Sequence, residues 1–239
     1  MEKPEIIKVL DNAELAHRAG DFVNALKFYE HFFDHALDDD PYALYGVRLS
    51  YCLAGWGRLA QEFVGARQRL EQKQQEVLQQ YQLSKVPETF HDYYCISHYL
   101  NRQEESLQQF LTLYSSSSKS ASKLIKFVWE DLVAAEQWEI CNQFLLEPMQ
   151  KLDELFSVFD ESARLKDVDA SFDSDEFEQH TLNALVKGVS DLLLILRHNG
   201  RGPDVEDVQR QFYATAHARN HSGLNTLIQA KGSFLFGGH

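Results

Sequence analysis

The segment Gly20-Asp21-Phe22-x-x-Ala25-x-x-x-Tyr29 reads as the joint between two helices. Glycine enters the left-handed conformation that ends a helix without steric cost. Aspartate caps the next helix by accepting a bond from a free backbone N–H. Apolar residues recur at helical spacing on both sides: Ile6, Val9, Leu10, Ala13, Leu15 and Ala16 before the joint, and Phe22, Ala25, Leu26, Tyr29, Phe32, Phe33, Ala36 and Leu37 after it. Asp38-Asp39-Asp40-Pro41 then stops the second helix, because proline cannot continue a helix interior and restricts the residue before it. The whole is a helical hairpin.

The arrangement echoes along the chain. It recurs as Gly55-x-Gly57-x-x-Ala60-x-x-x-Val64, as Asn101-x-Gln103-x-x-Ser106-x-x-x-Phe110 and as Glu136-x-Trp138-x-x-Cys141-x-x-x-Leu145, with steps of 35, 46 and 35 between turn residues. Periods in this range mark stacked helical hairpins. The small residue after each turn (Ala25, Ala60, Ser106, Cys141) lets two helices approach closely, and the larger residue one turn on fills the space beyond. The second hairpin is expected to turn at Gly55-Trp56-Gly57 and return to about Leu83 through the polar stretch Arg67 to Gln80. The third opens at Pro87 and turns at Asn101. The fourth turns near Glu136, where a Cβ disfavours positive φ.

The first repeat, with Ala36-Leu37 and Asp40-Pro41 behind it, resembles a tetratricopeptide repeat. Ala36-Leu37 and Pro41 fall one helical turn later than the family spacing, and the aromatic and glycine of the family's first helix are not clean in any repeat. The resemblance covers roughly residues 5–150. It implies a right-handed superhelix whose concave groove binds peptides or helices, and it implies no catalytic residues.

The last third differs in character. Residues 151–178 hold ten acids and three bases. Leu182, Leu185, Val186, Val189, Leu192, Leu193 and Leu196 then form one strongly apolar helix ending at Asn199-Gly200. Pro203 fits the first turn of another helix, and Leu224, Leu227 and Ile228 belong to a last one. The sequence therefore divides into helical hairpins over 1–160, an acidic linker over 161–178 and a helical C-terminal cap over 179–239. The expected fold is all-α, a helical-hairpin solenoid.

Composition narrows the function. The chain has 239 residues, is 44% hydrophobic and carries a formal net charge of −13. That charge repels nucleic acid and anionic lipid and favours a partner with a basic face. Cys52, Cys95 and Cys141 are dispersed and odd in number, as expected of buried thiols in a reducing compartment. Met1-Glu2-Lys3-Pro4-Glu5 has no long apolar run behind it, and the longest aliphatic run is Leu192–Leu196, far short of a membrane span. A cytoplasmic setting without membrane contact is expected.

Motifs that carry chemistry are sparse. Gly-x-Ser-x-Gly, P-loop and GxGxxG patterns are absent. Asp167, Asp169, Ser171, Asp173, Asp175 and Glu178 have the oxygen spacing of a calcium loop, but Phe172 stands where the sharp turn needs glycine. An acidic solvated linker is the simpler reading. His31 and His35 share a helix face at i and i+4, two metal ligands without a third. Cys95 and His98, and Glu130-Asp131, are read as packing and as a solvated edge. The tail Phe234-Leu235-Phe236 either hangs free or docks back.

The expected function is a non-enzymatic scaffold or adaptor without a cofactor, binding a peptide or helix of another protein. Phe28, Tyr29, Tyr51 and Trp56, near the first two turns, are the expected groove residues. Two other readings stand: a chaperone-like or regulatory module shielding an apolar partner segment, and an enzyme with a site scattered over helices. A shallow aromatic groove would favour binding, and a deep polar pocket would favour catalysis.

Overall fold

A computed structural model describes residues 5–168, 172–219, 221, 223–226 and 228. Every regular element among them is helical, and none of the described helices is long and apolar enough to cross a membrane. The chain divides into two compact units, residues 1–131 and 132–239. The sequence boundary at 160 and the first part of the expected linker fall inside a helix of the second unit, Pro148–Val168.

In the first unit α1 (Glu5–Arg18) pairs with α2 (Phe22–Asp39) around the joint quoted above. Gly20 has φ +78°, its N–H bonds to the His17 carbonyl, and the Asp21 N–H reaches back to the Ala16 carbonyl. This double return is a Schellman cap, which satisfies the last carbonyls of α1. The Asp21 carboxylate accepts from the Asn24 N–H and opens α2. Asp40 in turn accepts from the N–H groups of Tyr42 and Ala43 and opens the next helix.

That helix is continuous through α3 (Ala43–Val47), a π-helical segment (Arg48–Cys52) and α4 (Leu53–Glu62). Here the expected turn is corrected. Gly55, Trp56 and Gly57 are buried inside α4, and the chain turns at extended Phe63 into α5 (Val64–Ser84). Gly55 serves close approach: a Cβ there would lie 2.5 Å from Tyr29 Cε1. The packing pair shifts accordingly. Ala60 is only half-buried and Val64 is exposed, whereas Ala66 and Leu70 are fully buried. The echo then reads Ala25/Tyr29, Ala66/Leu70, Ser106/Phe110 and Cys141/Leu145, each a small buried residue followed by a large one a turn later.

The polar helix α5 is held by charge. Arg69 pairs with Glu30 of α2 and with Glu76, Lys73 with Asp34 of α2 and Glu76, and Arg102 with Glu71. Buried Gln74 donates to Ser97. A helix with so few apolar residues forms because its neighbours satisfy it, and its half-exposed pairs each contribute about 1 kcal/mol or less. Pro87 opens α6 (Pro87–Tyr99) at its first turn. Asn101 (φ +59°) makes a second Schellman cap into α7 (Gln103–Ser116), and α8 (Ser118–Ala121) leads to α9 (Ile125–Ala134).

The second unit opens at the end of α9. Glu136 takes φ +55° with the same pair of return bonds as Gly20, and α10 (Trp138–Phe144) follows. The long helices α11 (Pro148–Val168) and α12 (Asp175–His198) pack on each other, and α13 (Gly202–Arg219) packs on both. Gly200 (φ +67°) repeats the cap between α12 and α13. Arg219 holds Asp160 with two bonds of 3.0 and 2.7 Å and lies 4.4 Å over the Phe156 ring, tying α13 to α11. Leu224 and Ile228 are buried, whereas Leu227 and the tail Phe234-Leu235-Phe236 lie outside the described residues.

Candidate partner-binding face

Helix α6 has two contrasting faces. Phe90, Tyr93, Ile96, Ser97 and Leu100 are buried, while His91, Tyr94, Cys95 and His98 recur at i, i+3, i+4 and i+7 and are half-exposed. The second stripe meets α3 on one side and α9 on the other. Tyr45 Oη and His91 Nδ1 are 2.8 Å apart, and the His91 ring stacks on Phe127 of α9 with centroids 4.1 Å apart and planes at 12°. Lower on the same stripe the Tyr94 and His98 rings lie 4.3 Å apart, and His98 Nε2 is 3.0 Å from Asp131 Oδ2 of α9. Tyr99 donates to the Ser50 carbonyl of the π-helical segment. The result is a band of half-buried rings from the first helices of three successive hairpins.

Charge beneath the band is neutralised internally. Arg48, only 4% exposed, pairs with Asp92 and lies 4.5 Å over the Phe33 ring. Its Nε has no hydrogen-bond partner among the described residues. Burial pushes the Asp92 carboxyl up, and the Arg48 charge pulls it back. Burial, then the nearby charges of Lys126 and Arg48, push the His91 imidazole down to about 4, so the ring is neutral near pH 7. Burial, reinforced by Asp92, pushes the Cys95 thiol up to about 12. A thiol held in that range is not a nucleophile at neutral pH. Tyr94 is also pushed up, first by burial and then by the charge of Asp131, to which it hydrogen-bonds.

The residues expected to line a groove are not brought together on a surface. Tyr29 and Trp56 are fully buried: the Tyr29 hydroxyl donates to Glu14, and Trp56 Nε1 donates to the Ala66 carbonyl. Phe28 is half-buried and Tyr51 is 73% exposed. Of the residues forming the band, Tyr45, His91 and Phe127 were not singled out from sequence. The usable signal was the polar-aromatic stripe 91, 94, 95, 98 opposite the apolar stripe 90, 93, 96, 97, 100.

The calcium-like stretch is split between elements. Asp167 belongs to α11, Ser174 caps α12 by accepting from the Phe177 N–H, and Asp175 and Glu178 lie in the first turn of α12. Asp169 and Ser171 lie outside the described residues. Asp173, Asp175 and Glu178 rim a cavity in the second unit together with Phe159, Phe172 and His221. Among the described residues no group of three or more His, Cys, Asp or Glu side chains is placed to hold a metal ion. Comparison with protein-family models, with curated proteins and with solved structures finds no match to this chain.

Proposed function

We propose that the chain is a non-enzymatic scaffold whose hairpins stack as a tetratricopeptide-like, right-handed solenoid and whose ring band holds a peptide or helix of another protein. The observation that carries this reading is the band itself: Tyr45, His91, Tyr94, His98 and Phe127, half-exposed, from three successive hairpins. Rigid aromatic rings are favoured binding anchors because they offer large area at little entropic cost. Here hydrogen bonds and stacking already fix them. The repeated small-then-large packing pair supports the solenoid, and the protonated thiol of Cys95 supports binding over covalent chemistry. The net charge of −13 favours a basic partner segment and disfavours nucleic acid and anionic membrane. A cytoplasmic setting suits three dispersed free thiols.

The test is selection of a random peptide library on the immobilised protein. Enriched peptides are expected to be basic and to bind the Tyr94→Ala, Phe127→Ala variant more weakly, by roughly 30-fold if the two rings act as anchors. Peptides that bind the variant as tightly as the wild type would remove the band from consideration.

A further inference from the structure

We propose a second site, away from the ring band: His31 and His35 on the outer face of α2 form a two-histidine site for a divalent transition-metal ion. The two residues are exposed and stand one helical turn apart, with Phe32, Phe33 and Ala36 turned into the core behind them. Their ring centroids are 4.6 Å apart with planes at 44°, close enough for one nitrogen of each to reach a common ion. His35 Nδ1 lies 3.1 Å from Asp38 Oδ2. A carboxylate there accepts the Nδ1 proton and keeps the Nε2 lone pair of His35 available, the arrangement that orients metal-binding imidazoles. Asp34, between the two histidines, is engaged with Lys73 at 2.8 Å and does not compete.

The ligand class follows from the donors. Imidazole nitrogens suit copper, nickel and zinc, and an oxygen-seeking calcium or magnesium ion finds no carboxylate cage here. Two protein donors leave the other positions to water, so the site is open and exchangeable. The ion would staple two consecutive turns of α2 and raise the stability of the first unit by mass action.

The experiment titrates the full chain with Ni²⁺ alone and with Zn²⁺ alone, by calorimetry and by thermal denaturation. A 1:1 event is expected, with a rise in Tm. His31→Asn and His35→Asn should each abolish both signals, while His17→Asn and His180→Asn leave them intact. Asp38→Asn should weaken binding by about tenfold, as the loss of an orienting partner does. Because His31 and His35 are exposed, their variants should keep the metal-free Tm of the wild type, so lost binding would not reflect misfolding. Metal binding that survives the double variant His31→Asn, His35→Asn, or no binding by the wild type, overturns the site. Either result leaves the peptide-binding proposal untouched.

Discussion

The joint around Gly20 and the helix segment around Gly55 carry the same residue for opposite reasons. Gly20 sits at φ +78° with open space where a Cβ would go. Gly55 sits inside α4, where the side chain it lacks leaves room for the Tyr29 ring. The first glycine is a backbone device and the second a packing device. A sequence shows both as a glycine near an aromatic residue, so the two are confused unless the phase of the flanking helix is known.

That comparison breaks if the two sites respond alike to alanine. Gly55→Ala forces a Cβ against a fully buried ring and should cost about 2–3 kcal/mol, the range of overpacked cores. The double variant Gly55→Ala, Tyr29→Leu should recover part of that loss in urea denaturation, because the clash is specific to the ring. Full additivity of the two changes would mean that they do not meet. Gly20→Ala should cost only about 1 kcal/mol, the strain of a left-handed non-glycine residue. Equal losses at the two positions would erase the distinction.

Glu136 sharpens it from the other side. It holds the φ of Gly20 with a side chain attached, and its hairpin makes the same return bonds. Glu136→Gly should therefore stabilise the second unit, by about 0.5–1 kcal/mol, since relief of strain outweighs the added freedom of the unfolded chain. A loss of stability would show that the Glu136 side chain contributes something beyond its backbone role.

A further effect concerns pH. His91 titrates near 4 in the fold and near its ordinary 6.5 when unfolded, so between those values the unfolded chain binds the extra proton. Its contribution is complete above about pH 6.5 and is lost as pH falls toward 4. His91→Gln should flatten the decline of Tm between pH 7 and 5. An unchanged slope would place the origin of acid sensitivity elsewhere.

The helical character of the chain and three of its four repeat joints were legible without coordinates. Gly20, Asn101 and Glu136 all lie at left-handed caps, because a helix end imposes a local requirement that a few adjacent residues reveal. The second joint was not legible. Phe63 carries no turn signal, while the two glycines before it do. The fully buried Tyr29 and Trp56 looked like anchors for the same reason: an aromatic residue reads alike in a core and on a groove.

The stripe 91, 94, 95, 98 was written in the sequence as a helical period, but its meaning was not. Tyr45, His91 and Phe127 are far apart in the chain and meet only because the fold brings their side chains on α3, α6 and α9 within reach of one another. Sequence alone determined the helical character and three of the four joints, since caps and apolar spacing are local properties of the backbone. Tertiary structure alone decided which glycine accommodates a ring, which aromatics are buried and that the His91 ring is kept neutral. Close approach and desolvation are set by neighbours that the linear order does not place together.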